Sequence, residues 1–206
     1  MQFSPDIQAE KDPVGQKLGP QYCGFVSLSK KDGTTIKTLE VFHKACFNLR
    51  IMTSDSVPLY YVNNSQFTPG TPDVTLHVGS DKTGQVVGAC KFSHMWSNSV
   101  RVGLGDPNNI EGNDMTWEEM VCTSSCLKQS EFKFTMTLPN SGERRTFVWK
   151  RTHNLGPEAS KWSLQNFKLL DENTEEILAT FASSGCMNWG IKGKKGKFSL
   201  VVGDWG

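Results

Sequence analysis

Beyond Gly33 the chain is built from short runs of β-branched and aromatic residues, separated by clusters of Gly, Pro, Asn, Asp and Ser. Within the runs apolar and polar residues alternate, which places successive side chains on opposite faces of an extended strand. Regularly spaced runs of this kind signal an all-β sandwich or barrel. They fall near residues 36–43, 46–53, 57–63, 73–78, 85–92, 99–104, 115–121, 131–138, 145–152, 166–171, 176–182 and 197–202, which predicts about 12 strands. Helical signals are confined to one or two turns at Pro157–Gln165, where a proline at a first-turn position precedes Glu158 and Ala159. Residues 1–33, rich in Pro, Gly, Asp and Lys, read as a loosely structured leader with one short apolar stretch at Tyr22–Leu28. Residues 34–206 read as a single domain.

Two hairpins can be registered by counting. Across the linker Pro139–Arg144, pairing Leu138 with Arg145 brings Phe134 opposite Trp149 and Met136 opposite Phe147, and sets Lys133 opposite Lys150. Across Ser93–Ser99, pairing Phe92 with Val100 sets Lys91 opposite Arg101. Like charges directly opposed on a sheet cost about 0.2–1 kcal/mol relative to a neutral pair. A bound anion would offset that cost, so Lys91, Arg101, Lys133 and Lys150 are the candidate ligand-binding residues. The competing reading is ordinary: lysines are common on solvent faces, and a two-residue shift of register preserves the inside and outside of a strand. The stretch Ile191–Lys197, with four lysines among glycines, reads as a mobile basic loop.

With 206 residues the chain is long enough for one domain with a real core. Lys and Arg number 22 against 21 Asp and Glu, for a formal charge of +1. That balance removes proteins that coat nucleic acid or an anionic membrane through a global basic excess, so anion binding must be a local patch. No apolar run approaches the roughly 18 residues of a membrane span. The start MQFSPDIQAE lacks the basic residues and apolar stretch of a secretory signal, which predicts a cytoplasmic protein, peripheral to membranes if it meets them. For such a location the six widely spaced cysteines, Cys23, Cys46, Cys90, Cys122, Cys126 and Cys186, read as free thiols.

Catalytic signatures are absent. No segment matches a phosphate-cradling loop, a nucleophile elbow or a zincin helix. Cys122 and Cys126 form a C-x3-C, but His43, His77, His94 and His153 are scattered singly and complete no zinc set. The oxygen-rich loop around Asp106–Asp114 lacks EF-hand spacing and reads as turn residues. A Cys122–His153 dyad would need a fold to assemble it. No cofactor is expected, and a non-enzymatic module is the leading reading.

Several stretches, taken in order, resemble an uncharacterised family of fungal proteins with a tubby C-terminal-like fold. They are PLYYVNNSQFTPGTPDVTLHVG from Pro58, VRVGLGDP from Val100, MTWEEM from Met115, RRTFVWKRTH from Arg144 and NFKLLDENTEEILATFA from Asn166. The resemblance covers roughly residues 36–202. It implies a 12-stranded barrel, and it implies the kind of function found in a superfamily that includes tubby, the phospholipid scramblases and the plant LURP-one-related proteins. In that setting the expected partner is an anionic phospholipid headgroup, such as a phosphoinositide, or a protein. The family carries a long apolar helix after its last strand, whereas this chain ends at Gly203-Asp204-Trp205-Gly206, so the central helix is expected to be missing or atypical. An incompletely filled barrel supplies the alternative, a carrier whose lumen accepts an apolar ligand or a partner helix.

Overall fold

The computed structural model describes residues 35–202 apart from the segments 45–46, 66–67, 69, 94–97, 108–114, 125–129, 139–140, 156–162 and 186–192. The leader and most of the predicted Pro157–Gln165 turn therefore lie outside the described residues. Twelve strands run in chain order: β1 (Thr35–His43), β2 (Leu49–Thr53), β3 (Pro58–Asn64), β4 (Val74–Val78), β5 (Val86–Phe92), β6 (Ser99–Leu104), β7 (Trp117–Cys122), β8 (Glu131–Thr137), β9 (Arg144–Arg151), β10 (Phe167–Asp171), β11 (Ile177–Ser183) and β12 (Lys194–Val202). Each is antiparallel to its sequence neighbours, and β1 pairs with β12 from Thr35↔Val202 to Phe42↔Lys194, which closes the barrel. Closure leaves no free sheet edge. The described residues contain no helix.

Ring contacts identify the concave face. Trp149 of β9 and Phe198 of β12 have centroids 5.9 Å apart although β10 and β11 lie between their strands. Strands three places apart are separated by about 14 Å along the sheet, so only side chains on the inside of the curve can meet this way. Phe132 and Phe167, two strands apart, meet at 6.0 Å, and Phe134 and Phe147 at 5.5 Å. The inner face is therefore mainly apolar, with Arg145, Arg151 and Asp171 toward its ends, and Lys91, Arg101, Lys133, Lys150 and Lys168 alternate onto the outer face.

Turn chemistry holds the hairpins. Between β10 and β11, the buried Asp171 accepts hydrogen bonds at Oδ1 from the backbone N–H of Asn173 (2.8 Å) and Thr174 (3.1 Å). Between β8 and β9, the Leu138 N–H bonds the Glu143 carbonyl, and Gly142, at φ 69°, donates back to the Leu138 carbonyl. This turn closes Leu138 on Glu143, two residues earlier than Arg145.

Two expectations are corrected by these features. Because Leu138 closes on Glu143, the β8–β9 pairs are Thr137↔Arg144, Phe134↔Phe147 and Phe132↔Trp149, a shift of two residues from the counted register. The period-two pattern is blind to such a shift. The stretch Lys194–Lys197 is not a loop but the start of β12, held by Lys194 Nζ on Glu40 Oε1 at 2.6 Å. Gly196 permits it: a Cβ there would sit 2.5 Å from the Ala182 carbonyl oxygen and 2.8 Å from the Phe181 ring.

Candidate functional site

On β5 and β6 the counted register is the observed one. Lys91 lies directly opposite Arg101, and Phe92 opposite Val100. Arg101 next faces Glu119 on β7, and its guanidinium carbon lies 5.3 Å from the Trp117 ring centroid. That stacking orients the cation without neutralising it. Lys91 is exposed and has no hydrogen bond, ion pair or ring contact among the described residues.

The second expected pair does not form as counted. Lys133 lies opposite Val148 and is ion-paired with Glu172, so it is not brought to Lys150. Lys150 lies between Glu131 on β8, at 3.7 Å, and Lys168 on β10. Among the described residues there are thus two directly opposed like-charge pairs, Lys91/Arg101 and Lys150/Lys168. Lys168 is half-buried and has no partner among the described residues. Counting missed it because β9 and β10 are joined by a connection too long to fix register.

Both pairs sit toward the same end of the barrel, where β1 turns into β2, β5 into β6, β9 into β10 and β11 into β12. The Lys194–Lys197 run lies at this end too; of its acids among the described residues Glu40 pairs with Lys194, Glu131 with Lys150, Asp73 accepts the Phe92 N–H at 2.7 Å and Glu119 faces Arg101. Lys44 stacks over the Tyr61 ring at 5.0 Å and, after the Thr83 hydrogen bonds, helps lower the Asp81 pKa. Burial first, and then the Lys195 charge, lower the His43 pKa. The opposite end carries Asp55, Asp81, Glu118, Glu143, Asp171, Glu172, Glu175 and Glu176, against Lys37, Lys82, Arg144 and Arg145. Among the described residues, charge is therefore segregated along the barrel axis. The basic end also exposes apolar side chains: Phe47 is 83% exposed, Leu164 63% and Phe92 40%. Phe47 holds a positive φ of 65° in the β1–β2 turn, a conformation that costs a residue with a Cβ about 1–2 kcal/mol.

No protein-family model matches the chain, and no curated protein matches it. Among solved structures, an Arabidopsis thaliana protein known from X-ray crystallography is similar at 15% identity, over 81% of this chain and 79% of that one, with a TM-score of 0.47.

Other sequence candidates resolve without a reactive centre among the described residues. Burial, and then the Asp73 charge, push the Cys90 thiol up to about 11, which leaves little thiolate at neutral pH. Cys122 is buried while His153 is exposed, and no hydrogen bond joins them. His77 is buried; the Gly84 carbonyl, 3.0 Å from Nδ1, can only accept, so Nδ1 donates, and Nε2 meets the Thr75 hydroxyl at 2.9 Å. No group of three potential metal ligands occurs among the described residues. Cys126 and the oxygen-rich segment 108–114 lie outside them.

The lumen is a second candidate site. Phe132, Phe134, Trp149, Phe181 and Phe198 face inward yet are only half-buried. Eight strands make a barrel that its own side chains just fill, whereas twelve strands tilted about 40° put the backbone roughly 12 Å from the axis.

Proposed function

We propose that the chain is a tubby C-terminal-like barrel that works as a non-enzymatic binding module, docking its basic end on anionic phospholipid. The family assignment is supported by the order of its motifs, which lie on β3–β4, β6, β7, β9 and β10–β11 of a closed 12-stranded barrel. The observation that carries the docking is the axial segregation of charge. Lys91, Arg101, Lys150 and Lys168 would donate charge-assisted hydrogen bonds to phosphate oxygens, phosphoinositide headgroups among them. Phe47, Phe92 and Leu164 would enter the headgroup layer, as apolar side chains beside a cationic patch do at membrane interfaces. No described helix is long and apolar enough to cross a membrane.

Sedimentation with vesicles tests it. Binding to phosphatidylserine- or phosphoinositide-containing vesicles is expected, falling as ionic strength rises and the Debye length shrinks to about 8 Å at physiological salt. Equal binding to pure phosphatidylcholine vesicles, or none to any at low salt, would overturn it.

A second reading is favoured by the half-buried inward aromatics: the barrel is a carrier whose lumen accepts an apolar ligand. Recovery of the purified protein with a bound apolar molecule in native mass spectrometry is expected, and a ligand-free mass after exposure to lipid would overturn it.

A further inference from the structure

We infer that the outer wall of β9–β12 carries a subsite for a phosphate monoester, built by Lys150, Lys168, Thr180 and Ser199; this deepens the docking reading above and rests on it for the lipid source of the ligand. Register sets the four side by side: Lys150 pairs with Lys168, Lys168 with Thr180, and Thr180 with Ser199. All four face outward, because Trp149 and Phe198, their neighbours in sequence, meet on the inner face and the pairing carries that alternation across β10 and β11. Adjacent members of the row stand about 4.8 Å apart across the sheet. Thr180 is 9% exposed, and its hydroxyl, like the Ser199 hydroxyl and the Lys168 ammonium, has no partner among the described residues. A polar side chain buried to that degree is ordinarily hydrogen-bonded. Among the described residues the unpartnered polar side-chain atoms sealed from solvent are Arg50 Nε and Arg151 Nε, so the Thr180 oxygen keeps an opening to the outside.

The charges around the row select an anion. Asp171 is the one acid on β9–β12, and its pairing with Phe147 puts it on the inner face. The flanking strands contribute Glu131, 3.7 Å from Lys150, and Glu40, which holds Lys194. The outward Val148, Leu170 and Val201 beside the row are buried, so the donors sit in sheltered surroundings where a charged hydrogen bond is strengthened. Donor number selects the ester. A phosphate monoester carries a charge of about −1.5 to −2 at pH 7 and three acceptor oxygens. Two lysines balance that charge, and two hydroxyls add donors for the remaining lone pairs. A phosphodiester, with a single charge and two free oxygens, leaves one lysine unbalanced. The Lys91/Arg101 pair differs, because Glu119 lies next to Arg101 in register.

The test sediments the full chain with phosphatidylcholine vesicles carrying either phosphatidic acid, a monoester, or phosphatidylglycerol, a diester, at matched surface charge. Wild type is expected to bind the phosphatidic acid vesicles about tenfold more tightly, the effect of one charge-assisted hydrogen bond. T180V/S199A removes both hydroxyls with little change of shape. It is expected to lose the preference while binding phosphatidylglycerol vesicles as wild type does, which doubles as its folding control. Amide chemical shifts during titration with inorganic phosphate separate the sources. Shifts at Thr180 and Ser199 that vanish in T180V/S199A extend the site to free phosphate, and a phosphatidic acid preference without them restricts it to a lipid headgroup. Equal binding of both vesicles by wild type, with no shift in phosphate, would overturn the subsite while leaving docking intact. A preference that survives in T180V/S199A would overturn its placement on this row. Binding to neither vesicle, with the phosphate shifts retained, would overturn docking and leave the subsite.

Discussion

Lys150 on β9 lies directly opposite Lys168 on β10, with Glu131 at 3.7 Å on the other flank of Lys150 as its acidic neighbour. A fold selected for stability alone gains by changing one of these lysines. K168E is therefore expected to stabilise the barrel by about 0.2–1 kcal/mol while weakening binding to anionic vesicles. Chemical denaturation and vesicle sedimentation check the two signs separately. A variant that binds as tightly as wild type would remove Lys168 from the docking surface.

Phe47 combines a strained backbone with an almost fully exposed aromatic ring. Glycine accepts a positive φ without that strain, although it loses more chain entropy on folding. F47G should hold or raise stability, by up to about 1 kcal/mol, and should reduce vesicle binding. Loss of thermal stability would mean that the ring packs against the protein instead.

Cys90 has a thiol pKa raised from 9.0 to about 11 by burial and by Asp73. Iodoacetamide should label it slowly at pH 8 in the folded protein and rapidly after denaturation. The raised value also has a sign for stability. Below pH 9 the thiol is neutral in both states; between pH 9 and about 11 the unfolded chain ionises first, so stability falls across that window. Fast labelling of native protein at pH 8 would contradict this environment.

Gly196 lets β12 pass close to β11. G196A is expected to destabilise the barrel by about 1–3 kcal/mol, because the new methyl meets the Ala182 carbonyl and the Phe181 ring. A thermal melt unchanged from wild type would show that the two strands separate readily.

How far the chain could be read depended on what its pattern encodes. Strand positions were legible because alternation of apolar and polar residues marks them directly, and β6, counted at 99–104, spans those residues. Register was legible where turn and pattern agreed, as at Lys91↔Arg101. It failed at β8–β9, where the Leu138–Glu143 bond tightens the turn and a two-residue shift leaves every inward residue inward. Lysines among glycines suggested a loop at Lys194–Lys197, yet Glu40 on β1, far away in sequence, pairs with Lys194 and holds the strand. The axial charge segregation is invisible in the overall balance of charge. It emerges only when alternate hairpin ends are gathered on one side of the barrel.

The central claim is that one end of the barrel, rather than its total charge, meets the membrane. It is tested most directly by two charge-matched double variants in vesicle sedimentation: K91A/K168A at the basic end, and K37A/K82A at the acidic end, all four lysines being without a partner among the described residues. Each variant removes the same formal charge. The account predicts that K91A/K168A loses binding to phosphatidylserine vesicles by about tenfold or more while K37A/K82A binds as wild type. Equal loss in both variants would contradict it.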